Sequence, residues 1–582
     1  MDAAAILSER VQAAIVRAFG EEHRGADPAV HRSRVADYQA DAALRLAKPL
    51  GKPPLELAKA IAAALDVKDL CDGETGVTVS PPGFVNFTLG RAWLERALTG
   101  VATDARVGVP EKAHPETVIV DYSSPNVAKE MHVGHIRSTV IGDAVARILG
   151  FVGHRVIRQN HVGDWGTPFG MLIEHLLDLG AERAAAELGM GSLNQFYQGA
   201  RQKFDGDPAF AERARKRVVL LQSGDAETLA HWNVFVSASR RYFMTLYRRL
   251  GVLLDDADVR GESFYNPMLA DVARDLEQSG VARIDDGALC VFLDEFKGKD
   301  GTPVPLIVRK QDGGFGYAAT DLAAIRYRTG TLGASRILYF VGSPQQQHFA
   351  QVFATAKIAG FLPDSARAQH VMFGSVLGPD KKMLKTRSGE SVRLADLLDE
   401  AVTRAGAAVR EKNPSLDAAE ATRVAEAIGI GALKYADLSS DRIKDYLFDW
   451  DRMLAFEGNT GPYLQYAHAR ICSIARKAAD AGVAAPADAP LVLATEPERK
   501  LAVELLMLEP VLAVVEKTLE PHKLCGYLYD LATAFTSFYE SSPVLRAEDA
   551  ATRASRLLLC QTTRAVLGSG LGLLGMAAPE RM

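Results

Sequence analysis

A short apolar run, a polar loop, an amphipathic stretch and a second apolar run follow one another between residues 117 and 158. The first run, Thr117–Asp121, is typical of a buried strand. In the amphipathic stretch, apolar residues recur at every fourth position from Ile136 to Ile148, so one helical face can pack against a sheet. A second strand is predicted at 155–158. This order predicts a βαβ unit with a right-handed crossover, which requires a parallel sheet.

Further pieces of this sheet are predicted later in the chain. Strands are expected at 315–321, 336–341 and 371–376, the first two leading into helical stretches. They can join one parallel sheet only if the mostly helical, highly charged stretch at about 185–290 is an insertion. The sequence therefore predicts an α/β protein whose core, at 113–395, is a Rossmann-like parallel-sheet domain with a helical insertion.

Two flanking regions have different patterns. From 396 to 582 the strand signal disappears, and amphipathic helical stretches dominate around an Ala/Pro-rich break at 483–490. Residues 1–112 have the pattern of an α+β module. Its predicted elements are helices at 3–19 and 54–65, strands at 76–79 and 84–89, and a linker at 109–115. We therefore expect an N-terminal module and an all-α C-terminal domain on either side of the sheet.

Composition excludes several classes of protein. The 582 residues are 48% hydrophobic and 24% charged, unlike a disordered, collagen-like or coiled-coil chain. No uncharged run of 18 residues and no signal peptide is visible, so we expect no membrane association. Five dispersed cysteines without a CxxC pair argue against a disulfide framework or a zinc site and favour the reducing cytoplasm. The net charge of -5 argues against a simple polyanion binder, although a local basic surface remains compatible with it.

Two histidines, His132 and His135, lie where the polar loop passes into the predicted helix. The free N–H groups and the positive end of the helix dipole face this position, which favours phosphate, and Gly134 would allow a close approach. Chance proximity or metal binding are the alternatives. The carboxyl edge of a parallel sheet, where ligands collect, favours the phosphate interpretation.

A lysine-rich loop, Lys381 to Arg387, follows the last predicted strand. Most such charge runs are solvated surface loops. Because this one should lie at the same sheet edge as His132, it can instead act as a mobile clamp on a triphosphate.

The residues that carry these features resemble a known family. Residues 124–139, with the sequence SPNVAKEMHVGHIRST, resemble the "HIGH" signature region of class I aminoacyl-tRNA synthetases, in the form found in arginyl-tRNA synthetases. Residues 382–386 (KMLKT) resemble a degenerate form of the K-M-S-K-S loop of that class. Further segments that resemble the family in the same order are NHVGDWG at 160–166, YAATD at 317–321, FDWD at 448–451, EGNTGPY at 457–463 and ERM at 580–582.

The resemblance implies a two-step ligase reaction. L-arginine would attack ATP, taken with Mg²⁺, to form arginyl-adenylate, and the arginyl group would then pass to the terminal adenosine of tRNA(Arg). His132 and His135 would bind the phosphates, with Lys382 and Lys385 of the lysine loop. The sequence departs from the class pattern at Leu384, which replaces the signature serine. In this family a lysine upstream of the histidines is thought to compensate. We therefore divide the phosphate role between Lys129 and Lys385 without ranking them.

Arginine recognition requires carboxylates that receive a planar, permanently charged guanidinium. The resemblance assigns the guanidinium to Asp121, Tyr317 and Asp321, and the α-amino end to Asn126 and Gln345. Without the family, a helix N-cap would be an equal interpretation of Asp321, and core packing the alternative for Tyr317. A site built on fixed hydrogen bonds can reject lysine without an editing domain.

The resemblance makes residues 452–582 an anticodon-binding domain, residues 396–451 a contact region for the tRNA stem, and the N-terminal module a contact for the tRNA elbow. Tyr463, Tyr466 and Arg470 are spaced for one helical face, and Met582 would lie near the anticodon. Core packing of the tyrosines is the alternative. Asn86, with its neighbours Phe84 and Phe87, is a candidate elbow contact.

Two other functions fit parts of the pattern. One is a related ligase that gives the activated amino acid to a small molecule, which would need neither flanking domain. The other is an inactive RNA-binding paralogue, against which the intact histidines and acids argue. We expect a monomer as the default state. The resemblance also implies that activation of the amino acid requires bound tRNA.

Overall fold

The computed structural model describes residues 2–180, 193–298, 301–385, 391–483, 489–547 and 549–582. The predicted start of the insertion near 185, residues 386 and 387 of the lysine loop and most of the predicted break at 483–490 lie outside these residues.

Helices make up most of the described chain. Their bounds are α1 Ala3–Phe19, α2 Ala42–Leu50, α3 Pro54–Ala64, α4 Arg91–Thr103, α5 Val133–Phe151, α6 Thr167–Leu179, α7 Leu193–Gly206, α8 Pro208–Ser223, α9 Ala226–Leu250, α10 Glu262–Gln278, α11 Tyr317–Gly330, α12 Gln346–Ile358, α13 Leu394–Lys412, α14 Ala418–Leu438, α15 Trp450–Met453, α16 Gly461–Asp480, α17 Glu496–Leu505, α18 Leu508–Thr518, α19 His522–Ser541 and α20 Ala550–Leu573.

The strands form several separate sheets. Their bounds are β1 Val30–Arg32, β2 Tyr38–Ala40, β3 Val77–Ser80, β4 Phe84–Phe87, β5 Thr117–Asp121, β6 Arg155–Gln159, β7 Ala282–Asp285, β8 Ala288–Val291, β9 Leu306–Arg309, β10 Arg336–Tyr339, β11 Arg367–His370, β12 Val376–Leu377 and β13 Tyr446–Leu447.

The central sheet has the strand order β11-β10-β5-β6, and every pair in it is parallel. Asp121 at the end of β5 is paired with Tyr339 of β10 and with Gln159 of β6. The carboxyl ends of these strands are therefore level, and α5 begins beside them. The parallel α/β core with a helical insertion, an α+β N-terminal module and an all-α C-terminal region confirms the predicted fold class.

Two predicted strands are wrong. Residues 317–321 form the first turns of α11, because Gly316 is the extended N-cap residue and the helix formers Ala318 and Ala319 follow. Short apolar runs do not distinguish strand from helix. The strand predicted at 371–376 begins earlier, as β11, and Val376 instead opens β12, which pairs with β13.

The end of the insertion also differs from the prediction. Strands β7, β8 and β9 form an antiparallel sheet, so strand structure begins before residue 290 and continues to Arg309. The parallel sheet resumes only at β10.

The N-terminal module and the C-terminal helices contact each other directly. Strands β3 and β4 correspond to the predicted strand–turn–strand and pair in antiparallel fashion, and β2 and β1, which were not predicted, extend this sheet in the order β1-β2-β4-β3. Asp37, which is 9% exposed, pairs with Arg499 of α17, and Arg32 pairs with Glu504 at 2.5 Å. These contacts join the two flanking regions to each other.

Helices α5 and α14 are joined by buried charges. Arg137 Nε donates to Asp437 Oδ1 at 3.2 Å, and both side chains are almost completely buried. Lys434 is also buried and donates to the carbonyl groups of Leu250 and Gly575 at 2.9 and 2.6 Å. Helix α14 thus bonds to α5, to the end of α9 in the insertion and to the C-terminal segment at Gly575.

The five cysteines are free and buried. In the described part of the chain, no helix is long and apolar enough to cross a membrane.

Candidate active site

The loop between β5 and α5 has an unusual backbone. Ser123, Ser124 and Ala128 have φ values of 73°, 45° and 62°, a region that side chains other than glycine rarely adopt. Neighbouring side chains hold it in place: Ser138 Oγ, Asn160 Oδ1 and Ser239 Oγ accept the N–H groups of these residues at 2.9 to 3.0 Å. Tertiary contacts therefore stabilise the loop that leads to the histidines.

His132 and His135 cap α5. The N–H of Gly134 donates to Nδ1 of His132 at 3.1 Å, and the N–H of His132 donates to Nδ1 of His135 at 3.1 Å. A Cβ atom at Gly134 would lie 2.8 Å from the His132 ring, so glycine is needed for this cap. The histidines satisfy backbone groups at the helix start, which is a structural role that the sequence analysis did not foresee.

Both imidazoles are neutral near pH 7. Burial and the charge of Lys129 lower the pKa of His132, and burial with the neighbouring His132 lowers the pKa of His135 to about 3. Because each Nδ1 accepts an N–H, the proton of each neutral ring lies on Nε2. Neither Nε2 atom is hydrogen-bonded within the described residues, so the site offers two neutral N–H donors.

Lys129 lies next to these donors. Its charge acts on His132, and its Nζ atom lies 4.5 Å from the ring centroid of Tyr197 in the insertion. The side chain is half-buried.

The segment that follows the lysine loop contacts the start of α5. Val133 donates its N–H to the carbonyl of Val392, and Leu394 donates to the carbonyl of Met131, both at 2.9 Å. Lys382 and Lys385 are exposed, whereas Leu384 is half-buried and packs against the core. Residues 392–394, which follow the lysine loop, are therefore bonded to the histidine segment, and the contact of Lys382 and Lys385 with phosphate stays a prediction.

Tyr317 and Asp321 lie four residues apart in the first turns of α11, on one face of the helix. Tyr317 is 75% exposed, which excludes core packing, and Asp321 lies within the helix, which excludes the N-cap interpretation. Asp321 Oδ2 lies 2.6 Å from Nε2 of His348 on α12. Burial, Glu262 and Tyr197 raise the pKa of Tyr317. Tyr197 thereby connects the tyrosine to Lys129 and the histidines.

Asp121 is placed differently from its predicted role. Its side chain is buried, and Oδ2 accepts from Nη2 of Arg328 at 2.6 Å while Oδ1 accepts from Ser124 Oγ at 3.2 Å. Arg328 is fully buried and also donates to Gln159. The Asp121 carboxylate is thus neutralised by a guanidinium of the chain itself, and the prediction that it binds the substrate guanidinium directly is wrong in this conformation.

The two residues predicted for the α-amino end are exposed at the sheet edge. Asn126 lies in the loop after β5, where it forms an isolated bridge with Gly163. Gln345 lies in the turn between β10 and α12. Both therefore follow adjacent strands of the parallel sheet, and their contact with the α-amino end stays a prediction.

One acid at the site escaped the sequence analysis. Glu262 is the first residue of α10, and burial together with Asp164 and Asp321 raises its pKa to about 8. An acid in the first turn of a helix is usually explained by the helix dipole. Only its tertiary position beside Asp321 and Tyr317 marks it as part of the site.

The C-terminal candidates separate into two groups. Tyr463 is half-buried and packs against Tyr529, with ring centroids 5.7 Å apart, so its ring is not a free stacking surface as predicted. Tyr466, which is 44% exposed, Arg470 and Met582 line a polar cavity of about 350 Å³. Arg476 and Arg581 line the same cavity with Glu420, which pairs with Arg581 at 3.9 Å, so the three arginines outnumber the one acidic side chain.

The elbow candidates are mostly inaccessible. Asn86 is 4% exposed and donates to Ser80 Oγ at 3.0 Å, and Phe87 is completely buried. The predicted contact through Asn86 is wrong in this conformation, because the strand turns this side chain inward. Phe84 is half-buried.

No group of three or more His, Cys, Asp or Glu side chains in the described ranges is arranged to hold a metal ion.

Three family models match successive parts of the chain. They are the arginyl-tRNA synthetase N-terminal domain at residues 5–89, the catalytic domain of class I tRNA synthetases (R) at 98–450, and the DALR anticodon-binding domain at 464–582.

Known proteins resemble the chain over its full length. The arginine–tRNA ligase of Thermobifida fusca (strain YX) is 53% identical, with 100% of both chains covered. The crystal structure of arginyl-tRNA synthetase from Plasmodium falciparum superimposes with a TM-score of 0.84 at 29% identity, covering 100% of this chain and 99% of that one. The Thermus thermophilus arginyl-tRNA synthetase gives 0.81 at 26% identity, with 100% of both covered. The chain belongs to the arginyl-tRNA synthetase family of class I aminoacyl-tRNA synthetases.

Proposed function

We propose that this chain is an arginine–tRNA ligase that forms arginyl-adenylate and then arginyl-tRNA. The observation that carries the proposal is that two chemically different groups of side chains are connected through Tyr197, whose ring lies 4.5 Å from Nζ of Lys129. His132 and Lys129 form the phosphate end, Tyr317 and Glu262 form the acidic end, and Tyr197 lies between them.

In the first step, a carboxylate oxygen of arginine attacks the α-phosphorus of ATP, and the bond to the pyrophosphate oxygen breaks. Negative charge increases on the phosphate oxygens, and the Nε2–H groups of His132 and His135 are the donors we assign to them. Lys129, with Lys382 and Lys385 of the exposed loop, neutralises the leaving pyrophosphate. The reaction thus depends on positioning and charge more than on proton transfer.

The acidic end selects the amino acid. We assign the guanidinium to Asp321 and Glu262, with Tyr317 beside them, because the two carboxylates interact with each other and, among the described residues, neither is paired with an arginine; Asp321 pairs only with the imidazole of His348. Asn126 and Gln345 are assigned to the α-amino end. Asp121 acts indirectly in this proposal, because its ion pair with Arg328 holds the sheet edge in place.

In the second step, the 2′-hydroxyl of the terminal adenosine attacks the arginyl carbonyl and AMP leaves.

We propose that the cavity lined by Tyr466, Arg470 and Met582 binds the anticodon bases by stacking and charge. The division of the chain at 112, 395 and 451 remains our proposal for the tRNA-elbow, catalytic, stem-contact and anticodon regions.

The remaining partners follow from this chemistry. We propose that Mg²⁺ enters with the phosphates of ATP, since the described residues contain no dedicated metal cluster. We also propose that the enzyme acts in the cytoplasm as a monomer; the free, buried cysteines are compatible with a reducing compartment.

The test is arginine-dependent exchange of pyrophosphate into ATP, with and without total tRNA and with lysine as the competing amino acid. We expect exchange with arginine that requires tRNA, and none with lysine. Exchange without tRNA would favour a ligase with a small-molecule acceptor. Absence of exchange with retained tRNA binding would indicate an inactive RNA-binding protein.

A further inference from the structure

The helical insertion places an aromatic ring against the ammonium group of Lys129. The distance of 4.5 Å from Nζ to the centroid of Tyr197 is one at which a ring face attracts a cation. Lys129 also lies close enough to His132 for its charge to affect that ring. Tyr197 therefore contacts Lys129, one of the residues assigned to the phosphates, from a helix outside the parallel sheet.

The position of Tyr197 is fixed by its helix. The preceding residue, Phe196, is 3% exposed and packs against His175 and Phe235, with ring centroids 4.8 and 5.5 Å apart. Helix α7 also packs against α6 and α8. The tyrosine ring is thus attached to a rigid support, whereas a lysine side chain alone has many rotamers.

We propose that Tyr197 is a positioning residue for adenylate formation, holding the ammonium group of Lys129 at the ATP phosphates. This inference rests on the proposed function. The proposal gives the helical insertion a role in the first step. Such support for Lys129 is relevant because the lysine loop departs from the class signature at Leu384. An ordered Lys129 can supply charge with a smaller loss of side-chain entropy than the exposed Lys382 and Lys385.

The test compares the rate of adenylate formation, in single turnover with tRNA present, among variants of the full chain. Tyr197→Leu removes the ring and should lower the rate about three- to thirty-fold with little change in the KM for arginine. Tyr197→Phe keeps a ring face and should restore most of the rate. Phe204→Leu is the matched control, because Phe204 lies on the same helix against Arg201 and Arg215.

A double-mutant cycle separates positioning from general support. Tyr197→Leu should have no further effect in the Lys129→Met background, since the group that it positions is then absent. The same loss in both backgrounds would overturn the proposal, and so would a wild-type rate in Tyr197→Leu. Unchanged activity in Lys129→Met would overturn it as well, because Lys129 would then have no role in the step.

A spectroscopic measurement is independent of activity. Lysines labelled by reductive ¹³C-methylation should give several signals displaced by ring currents, since Lys412 and Lys203 also lie over rings, and the signal of Lys129 is the one that is lost in Lys129→Arg. We expect the displacement to vanish in Tyr197→Leu and to persist in Tyr197→Phe. A wild-type Lys129 signal at the ordinary position would refute the contact. A normal displacement in a chain without arginine-dependent exchange would refute the proposed function and, with it, the positioning role.

Discussion

Arginine binding should release a proton from Glu262. In the free site, burial and the neighbouring Asp164 and Asp321 raise the pKa of this carboxyl to about 8, so it is mostly protonated at neutral pH. A guanidinium is permanently charged and favours the ionised carboxylate, so its binding lowers the pKa again. Affinity for arginine should therefore increase with pH.

The size of the effect follows from the fraction of ionised Glu262. With a pKa of about 8, roughly one carboxyl in a hundred is ionised at pH 6 and one in ten at pH 7. The Kd for arginine should fall about tenfold per pH unit in this range, equivalent to about 1.4 kcal/mol per unit, and become constant above pH 8. Release should approach one proton for each arginine bound.

Isothermal titration calorimetry with arginine from pH 6 to 8.5, in two buffers of different ionisation enthalpy, measures both quantities. Glu262→Gln should lose the pH dependence. Glu130→Gln is the control and should keep the pH dependence of the Kd. Burial raises the pKa of Glu130 as well, but this residue lies in the loop that carries the histidines. A pH-independent Kd in the wild type, or an unchanged slope in Glu262→Gln, would contradict this assignment.

Three further predictions concern single side chains. Asp321→Ala should weaken arginine binding by about 2–5 kcal/mol while ATP binding, measured by equilibrium dialysis, persists; an unchanged KM for arginine would remove this carboxylate from the site. His135→Gln should raise the barrier to adenylate formation by about 3–4 kcal/mol in single turnover, and a wild-type rate would exclude a donor role. The folded-state pKa of His135 is about 3, below the unfolded value of 6.5, so its contribution to stability is complete above pH 6.5 and declines as the pH falls towards 3. The Tm measured by thermal unfolding should therefore fall less steeply with decreasing pH in His135→Gln than in the wild type. Arg137→Met should cost about 3–5 kcal/mol in urea unfolding by leaving Asp437 buried without its partner, and adding Asp437→Leu should recover part of it.

Local patterns predicted the elements that the site depends on. The four-residue apolar spacing after Ile136 gave α5, and the run at Thr117–Asp121 gave β5. These elements are specified by neighbouring residues, so a single sequence suffices to find them. The stretch at 317–321 was misassigned because a few apolar residues are compatible with both helix and strand.

The side chains of the site were predicted less completely, because long-range pairing determines their state. Asp121 and Arg328 are 207 residues apart in sequence, and their ion pair withdraws the carboxylate from the substrate. Glu262 enters the site because α10 begins beside Asp321. Neither effect has a local signal.

Local sequence patterns were enough to identify β5, β6, α5 with the histidines at its start, and the family to which the motifs point, but not β7 to β9 or the start of α11. Tertiary structure decided which carboxylates remain available to a guanidinium, that both imidazoles are neutral, and that Tyr466 rather than Tyr463 is exposed. The physical reason is that burial and charge pairing depend on groups that folding brings from distant parts of the chain.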